Sequence, residues 1–306
     1  MQNYEKHILT TRQFDRASLI LLFEEALEME RVLAGGGNDL LKGRILASLF
    51  FEPSTRTRFS FETAMLRLGG SVISNYSMAT TSSVQKKETL FDTGKVVSRF
   101  ADVIVMRHPE VGSVAELARG SRVPVINGGD GPAEHPSQAL LDLYTIWKER
   151  KSLDGVVIGM VGDLKNGRVP HSQCDLLKHF DCSFVFVAPE ALAMPRGIVE
   201  ELRESGHEVR ETEDFGEAIG EMDVIGMTRV QEERFESKEE YAKYAGVYVL
   251  GKGEMGRART GAIVLHPLPR VDEISPEIDE DPRCRYFEQV SNGVAIRMAL
   301  LARVLG

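Results

Sequence analysis

The 306-residue sequence lacks any apolar run near the ~18–20 residues of a membrane span, which argues against a transmembrane chain. Its opening, Met1-Gln-Asn-Tyr-Glu-Lys-His7, lacks the apolar stretch of a secretory signal. Cysteine is scarce. Cys174, Cys182 and Cys284 are odd in number and show no C-x-x-C spacing, which argues against a disulfide framework and for a reducing compartment. Basic charge is in deficit, with 37 Lys and Arg against 46 Asp and Glu and a formal net charge of −9. Such a chain is a poor general nucleic-acid binder, because phosphate neutralisation needs a basic face. No internal repeat or low-complexity tract is visible. What is present is ordinary for a soluble globular chain: 42% hydrophobic and 27% charged residues. The length suits about two domains of ~100–200 residues. The expectation is a cytoplasmic α/β enzyme with no nucleic-acid or membrane partner.

Short β-branched or aromatic runs alternate with helical stretches. Strands are predicted at Ile45–Phe51, Val103–Met106, Val123–Ile126, Val156–Val161, Phe184–Val187, Val224–Met227, Val247–Leu250 and Ile263–Leu265. Near-continuous apolar runs suit strands buried on both faces, as in parallel sheets. Leu19, Leu22, Phe23, Ala26, Leu27 and Leu33 make one helical stripe, and Val290, Val294, Met298, Leu301 and Leu305 make another. The fold class expected is α/β, with doubly wound parallel sheets. A polar segment, Lys148-Glu-Arg-Lys-Ser-Leu-Asp-Gly155, marks the boundary, giving domains at 1–147 and 148–288. The acid-rich stretch Glu232–Glu240 reads as solvated surface.

Phe50-Phe-Glu-Pro-Ser-Thr-Arg-Thr-Arg-Phe59 joins a strand to a helix. Pro53 stops the strand, and Ser54 and Thr55 suit a helix N-cap. Arg56 and Arg58 then face the positive end of the helix dipole, at a cost of ~0.3–1 kcal/mol each. Cations, hydroxyls and helix N–H groups converging on one point suit a bound anion, and arginine suits planar, bidentate phosphate contacts. The alternative is a capped helix whose arginines pair with surface acids.

At Ser54-Thr55-Arg56-Thr57-Arg58 the sequence resembles the aspartate and ornithine carbamoyltransferases, and further segments match in order over nearly the whole chain. The resemblance implies that Ser54, Thr55, Arg56 and Thr57 bind the phosphate end of carbamoyl phosphate. It places Arg107, of Arg107-His-Pro, and His135 and Gln138, of His135-Pro-Ser-Gln138, around the carbamoyl group. Arg107, His135 and Thr57 are donor types that can stabilise a carbonyl oxygen gaining charge. Ser83-Val-Gln-Lys-Lys-Glu-Thr89 is similar to a Ser-x-x-Lys-Gly-Glu loop that reaches a neighbouring subunit's site. This gives Lys86 a catalytic and aspartate-side role. Lys87 stands where glycine is usual, and glycine allows φ values that lysine resists.

In the second half, Gly162-Asp-Leu-Lys-Asn-Gly-Arg168 invites a dinucleotide reading with Glu190, but there is no G-x-G-x-x-G. The resemblance instead gives Arg168 to one carboxylate of aspartate and Arg229 and Gln231, of Met227-Thr-Arg-Val-Gln231, to the other. Residues two apart in extended chain face the same way. His266-Pro-Leu-Pro-Arg270 completes the set, with Leu268 and Pro269 aiming carbonyls at the carbamoyl NH₂. Ornithine enzymes carry His-Cys-Leu-Pro and a Ser-Met-Gly loop, both missing here, so aspartate is the acceptor expected.

His171-x-x-Cys174 and His179-x-x-Cys182 resemble a zinc set only superficially, since they fall in one predicted helix and its exit. No metal and no organic cofactor is expected. The resemblance implies two doubly wound domains, with the C-terminal helix 289–306 returning to the first and Arg297 on it in a supporting or domain-bridging place. It also implies carbamoyl transfer from carbamoyl phosphate to L-aspartate, without a covalent intermediate, in pyrimidine biosynthesis. A homotrimer with shared sites is expected, and regulatory chains are left open. The rivals are a carbamoyltransferase for another amino acid and a non-enzymatic anion-binding scaffold.

Overall fold

The computed structural model describes residues 6–78, 87–235 and 237–306. They form two compact units. One runs to Leu141 and takes in Val290–Gly306, and the other is Asp142–Gln289.

The first unit holds a parallel sheet of β1 (Ile45–Phe50), β2 (Ser71–Asn75), β3 (Val103–His108) and β4 (Val125–Asp130), in the spatial order β2-β1-β3-β4. Its helices are α1 (Arg16–Ala34), α2 (Thr55–Arg67), α3 (Leu90–Val97) and α4 (Ser113–Gly120). Helix α5 (Pro136–Arg150) follows. Consecutive residues Leu46, Ala47 and Ser48 of β1 are fully buried. Neighbours in a strand face opposite ways, so both faces of the sheet are covered. Asp15 starts α1 through a capping box with Ser18, and Leu19, Leu22, Phe23 and Ala26 are its buried stripe.

The second unit holds β5 (Val157–Val161), β6 (Ser183–Val187), β7 (Val209–Thr212), β8 (Val224–Met227) and β9 (Ile263–Leu265), in the order β7-β6-β5-β8-β9, again parallel. Its helices are α6 (Arg168–Leu177), α7 (Arg196–Glu204), α8 (Phe215–Ala218), α9 (Lys238–Ala242) and α10 (Lys252–Arg257). The final helix, α11 (Tyr286–Leu305), returns to the first unit. There Arg303 donates to Glu25 on α1, and the Arg297 guanidinium lies 5.0 Å from the Phe61 ring of α2. Ala295, Ile296, Met298, Ala299, Leu300 and Leu301 are fully buried. The expected α/β class with a returning helix is therefore present.

Two strands were not anticipated from the apolar runs. β2 and β7 are sheet edges with largely exposed or half-exposed residues, and their sequences, Ser-Val-Ile-Ser-Asn and Val-Arg-Glu-Thr, are too polar to read as buried strands. One predicted strand is absent. In Val247–Leu250 only Leu250 forms an isolated bridge, to Ile274, while Val247 and Val249 are exposed. β4 also runs further than expected, through Asn127, Gly128 and Gly129 to Asp130.

Ile8 pairs alongside β4, donating its N–H to Val125 and accepting from Asn127. The buried His7 ring accepts the Val125 N–H at Nδ1, 3.0 Å away. Burial, then the nearby Lys6 charge, pushes its pKa down to about 4. The unfolded chain thus binds more protons than the folded one between the ordinary value and about 4. Stability contributed by neutral His7 should be full above pH ~6.5 and fall as the pH drops through this window. Denaturant titrations at pH 7 and pH 4.5 should show the His7→Gln variant losing about 2 kcal/mol less than wild type over that range.

Candidate active site

In an open parallel sheet, ligands bind beyond the carboxyl ends of the strands, where neighbouring connections leave in opposite directions. In the first unit the strand order reverses at the β1–β3 pair. The segment after β1 carries Glu52 to Arg58, and the end of β3 carries Arg107. Both arrive at the same crevice through register, since Phe50 pairs with Arg107 and the Phe51 N–H donates to the Arg107 carbonyl at 2.9 Å.

Ser54 occupies the N-cap position of α2, as expected, but makes no side-chain cap. Its hydroxyl accepts instead from Arg107 Nη1 at 3.2 Å, while Arg107 Nε donates to Glu52 Oε1 at 2.6 Å. Glu52 was not singled out from the sequence, although it lies inside the motif. It fixes the guanidinium plane of Arg107. Arg56 follows in the first helical turn. Desolvation first, and the like charge of Arg107 second, hold its pKa below the ordinary arginine range. Two guanidiniums thus repel one another in front of a helix N-terminus, whose first N–H groups have no helical carbonyl to serve. Arg58 points elsewhere: it is 3.9 Å from Glu62 and stacks near Phe59 and Tyr76.

His135 is buried and immediately precedes α5, its carbonyl accepting from the N–H groups of Gln138 and Ala139. Its Nε2 lies 3.3 Å from the Thr57 hydroxyl, also buried. The direction of that hydrogen bond follows the ring's tautomer. Gln138, half-buried, is on the first turn of α5. The first unit therefore gathers Ser54, Arg56 and Arg107 at one point and joins Thr57 to His135. Lys86 lies outside the described residues. Lys87 has φ +68°, the left-handed region glycine enters freely and lysine avoids, so this position has the backbone geometry that a glycine there would serve.

The second unit repeats the logic. Its strand order reverses at β5–β8, with β9 alongside. β5 leads to Arg168 at the start of α6, β8 leads to Arg229 and Gln231, and β9 leads to Leu268 and Pro269. Gly162, at φ +121°, lets the first two segments approach, because a Cβ there would sit 2.1 Å from the Thr228 carbonyl oxygen. Gln231 Nε2 donates to the Asn166 carbonyl at 3.3 Å, tying it to the turn that carries Arg168. Arg229 places its charge near Tyr241 of α9. Leu268 sits at φ +54°, and its bond to Pro269 is cis.

Among the described residues no group of three or more His, Cys, Asp or Glu could hold a metal ion. His171 Nε2 lies 2.7 Å from the Leu164 carbonyl, and the buried Cys174 faces Met160. No described helix is long and apolar enough to cross a membrane. The first unit's groups can bind a tetrahedral dianion and polarise an adjoining carbonyl. The second unit's two arginines and amide suit a dicarboxylate.

Inorganic phosphate should therefore raise the unfolding midpoint at constant ionic strength while chloride does not. The gain should approach about 2.7 kcal/mol at a hundred times Kd and be lost in Arg56→Ala. Differential scanning calorimetry provides the check, and equal shifts from both salts would sink the anion site.

The sequence and fold match known proteins. The sequence profile of the aspartate/ornithine carbamoyltransferase carbamoyl-P binding domain matches residues 6–148, and that of the Asp/Orn binding domain matches residues 154–304. An aspartate carbamoyltransferase catalytic subunit from Thermococcus onnurineus (strain NA1) is 48% identical over 303 residues, 98% of this chain and 97% of that protein. The catalytic subunit of M. jannaschii aspartate transcarbamoylase superposes with a TM-score of 0.91 at 42% identity, covering 98% of each chain. Aspartate transcarbamoylase from Trypanosoma cruzi, solved with carbamoyl phosphate and aspartate, gives a TM-score of 0.91 at 40% identity over 98% of this chain and 97% of that one.

Proposed function

The chain belongs to the aspartate/ornithine carbamoyltransferase family, and from that premise we propose how its residues carry out carbamoyl transfer to L-aspartate. The reaction gives N-carbamoyl-L-aspartate and phosphate, a step of pyrimidine biosynthesis. The observation that carries the reading is the paired Arg56 and Arg107 at the β1–β3 reversal, beside the Thr57–His135 contact.

Carbamoyl phosphate binds with its phosphate on Ser54, Thr55, Arg56 and the first turn of α2. Its negative charge offsets the repulsion between Arg56 and Arg107. Arg107, Thr57 and His135 donate to the carbonyl oxygen, where charge develops in the transition state. Gln138 and the carbonyls of Leu268 and Pro269 hold the carbamoyl amide. Aspartate binds through its two carboxylates to Arg168, Arg229 and Gln231. Its neutral amine attacks the carbonyl carbon, forming the C–N bond. The C–O bond to phosphate then breaks, and the departing phosphate takes the amine's proton. No covalent enzyme intermediate arises. Positioning of two bound reactants supplies much of the rate.

Lys86 supplies a further positive charge from a neighbouring copy in a homotrimer, and a lone copy is nearly inactive. By function, the carbamoyl-phosphate-binding domain is 1–147 and the aspartate-binding domain 148–288, with 289–306 rejoining the former.

Purified chain given carbamoyl phosphate should form a ureido product with L-aspartate and none with L-ornithine. Product from ornithine alone would overturn the acceptor assignment. Thr57→Ala and His135→Ala should each lower kcat by about 10²–10³ while phosphate still binds, because each removes one oxyanion donor. Co-refolding Lys86→Ala with His135→Ala should recover activity well above that of either variant alone. Absence of recovery excludes shared sites.

A further inference from the structure

The segment after β9 is held by a buried polar device whose Glu273 lies outside the His266–Arg270 motif and has no part in the chemistry above. His266 is 2% exposed and Glu273 is 4% exposed. The His266 Nδ1 accepts the Leu268 N–H at 2.7 Å, and its Nε2 lies 2.6 Å from Glu273 Oε1. A ring nitrogen that accepts from a backbone N–H carries no proton. The proton of neutral His266 is therefore on Nε2, donated to Glu273. The other carboxylate oxygen, Oε2, accepts the N–H groups of Val271 and Asp272, both at 3.1 Å. Burial alone would raise the pKa of Glu273, but these donors outweigh it and hold it at about 2, so the carboxylate is charged.

The device is anchored from behind. The His266 N–H donates to Gln289 Oε1 at 3.0 Å, and Gln289 Nε2 donates to Asp142. Asp142 is fully buried on α5 and also accepts from Gln173 at 2.7 Å. At the working end stands Leu268, at φ +54°, a left-handed conformation that L-residues disfavour. Such a residue keeps that conformation only where its surroundings over-determine it. The hydrogen bond from its N–H to His266 is one such constraint.

We infer that Glu273, acting through His266, is a positioning residue that aims the Leu268 carbonyl at the carbamoyl NH₂ and so makes the site select a carbamoyl over an acyl phosphate. This rests on the reading of Leu268 as a carbamoyl contact. Glu273→Gln is isosteric yet defeats the device. If the new amide NH₂ faces His266, Nε2 must accept and the ring proton moves to Nδ1, opposite the Leu268 N–H. If the amide oxygen faces His266, the NH₂ group opposes the N–H groups of Val271 and Asp272. In either case a donor meets a donor, and Leu268 is released toward negative φ.

The test uses the whole enzyme and acetyl phosphate, which has a methyl group where the substrate has NH₂. Wild type should turn over carbamoyl phosphate with aspartate and bind it more tightly than it binds acetyl phosphate as a competitive inhibitor. In Glu273→Gln the KM for carbamoyl phosphate should rise by about tenfold or more, while the Ki of acetyl phosphate and the KM for aspartate stay within about twofold. General damage would weaken all three together. If Glu273→Gln does not fold, Glu273→Asp, whose carboxylate is withdrawn by one methylene, should show the same selective loss. A folded variant with an unchanged ratio of the two acyl-phosphate constants overturns the inference and leaves the assigned reaction standing. Wild type that forms no ureido product, or does not discriminate between the two phosphates, overturns the reading of the site and the inference with it.

Discussion

The reversal of strand order within each parallel sheet is the constraint on which the rest of the molecule depends. Parallel strands all end on the same side, and their connections must leave the sheet on one face or the other. Where the direction changes, two chain segments diverge and leave a crevice lined by backbone and by the first turns of helices. The chain builds this arrangement twice, at β1–β3 and at β5–β8. Each time it places arginines there: Arg56 and Arg107 in the first unit, Arg168 and Arg229 in the second. An acidic chain with net charge −9 thus concentrates positive charge where the fold already directs helix N–H groups. This favours the encounter with two anionic substrates.

The first crevice sets like charges side by side. Arg56 is depressed by desolvation and by Arg107, and Arg107 is restrained by Glu52 and Ser54 and cannot swing away. A site pre-formed in this way needs little reorganisation when phosphate arrives, and the substrate's charge relaxes it. The same donors then meet the charge that develops on the carbonyl oxygen, where fixed dipoles contribute most. Glu52 is therefore an orienting counter-charge. Its absence from the sequence reading reflects the fact that a glutamate in a strand-ending turn has many ordinary explanations.

The legible parts of the chain were those whose local chemistry is unusual. Cations in the first turn of a helix stood out because they oppose the dipole, and buried parallel strands stood out as continuous apolar runs. Edge strands β2 and β7 escaped because solvent covers much of them, so polar residues serve there as well as apolar ones. Val247–Leu250 misled for the opposite reason: its valines are apolar but exposed, and only Leu250 makes a bridge. The support beneath the site was not legible at all. Asp142, Gln289, His266 and Glu273 are scattered over the sequence and become one network only when α5, β9 and α11 are placed. Lys87 shows a departure from a motif absorbed by the backbone, since it adopts the left-handed geometry that the usual glycine would reach without strain.

A buried carboxylate is a costly way to support a loop. Replacing buried ionic groups with well-packed apolar ones is often neutral or stabilising, so stability alone does not explain Glu273. An apolar side chain of the same size could fill its space. It could not accept three hydrogen bonds from His266, Val271 and Asp272. Nor could it fix which nitrogen of His266 carries the proton, and that choice determines whether Leu268 is held at φ +54°. The desolvation cost is therefore offset by direction: a carbonyl aimed at one point, in a residue whose own preference is to turn elsewhere. In the first unit the unfavourable element is a pair of like charges, and in the second it is a strained backbone. In both, groups outside the contact surface impose the arrangement, and the bound substrate is what makes it favourable.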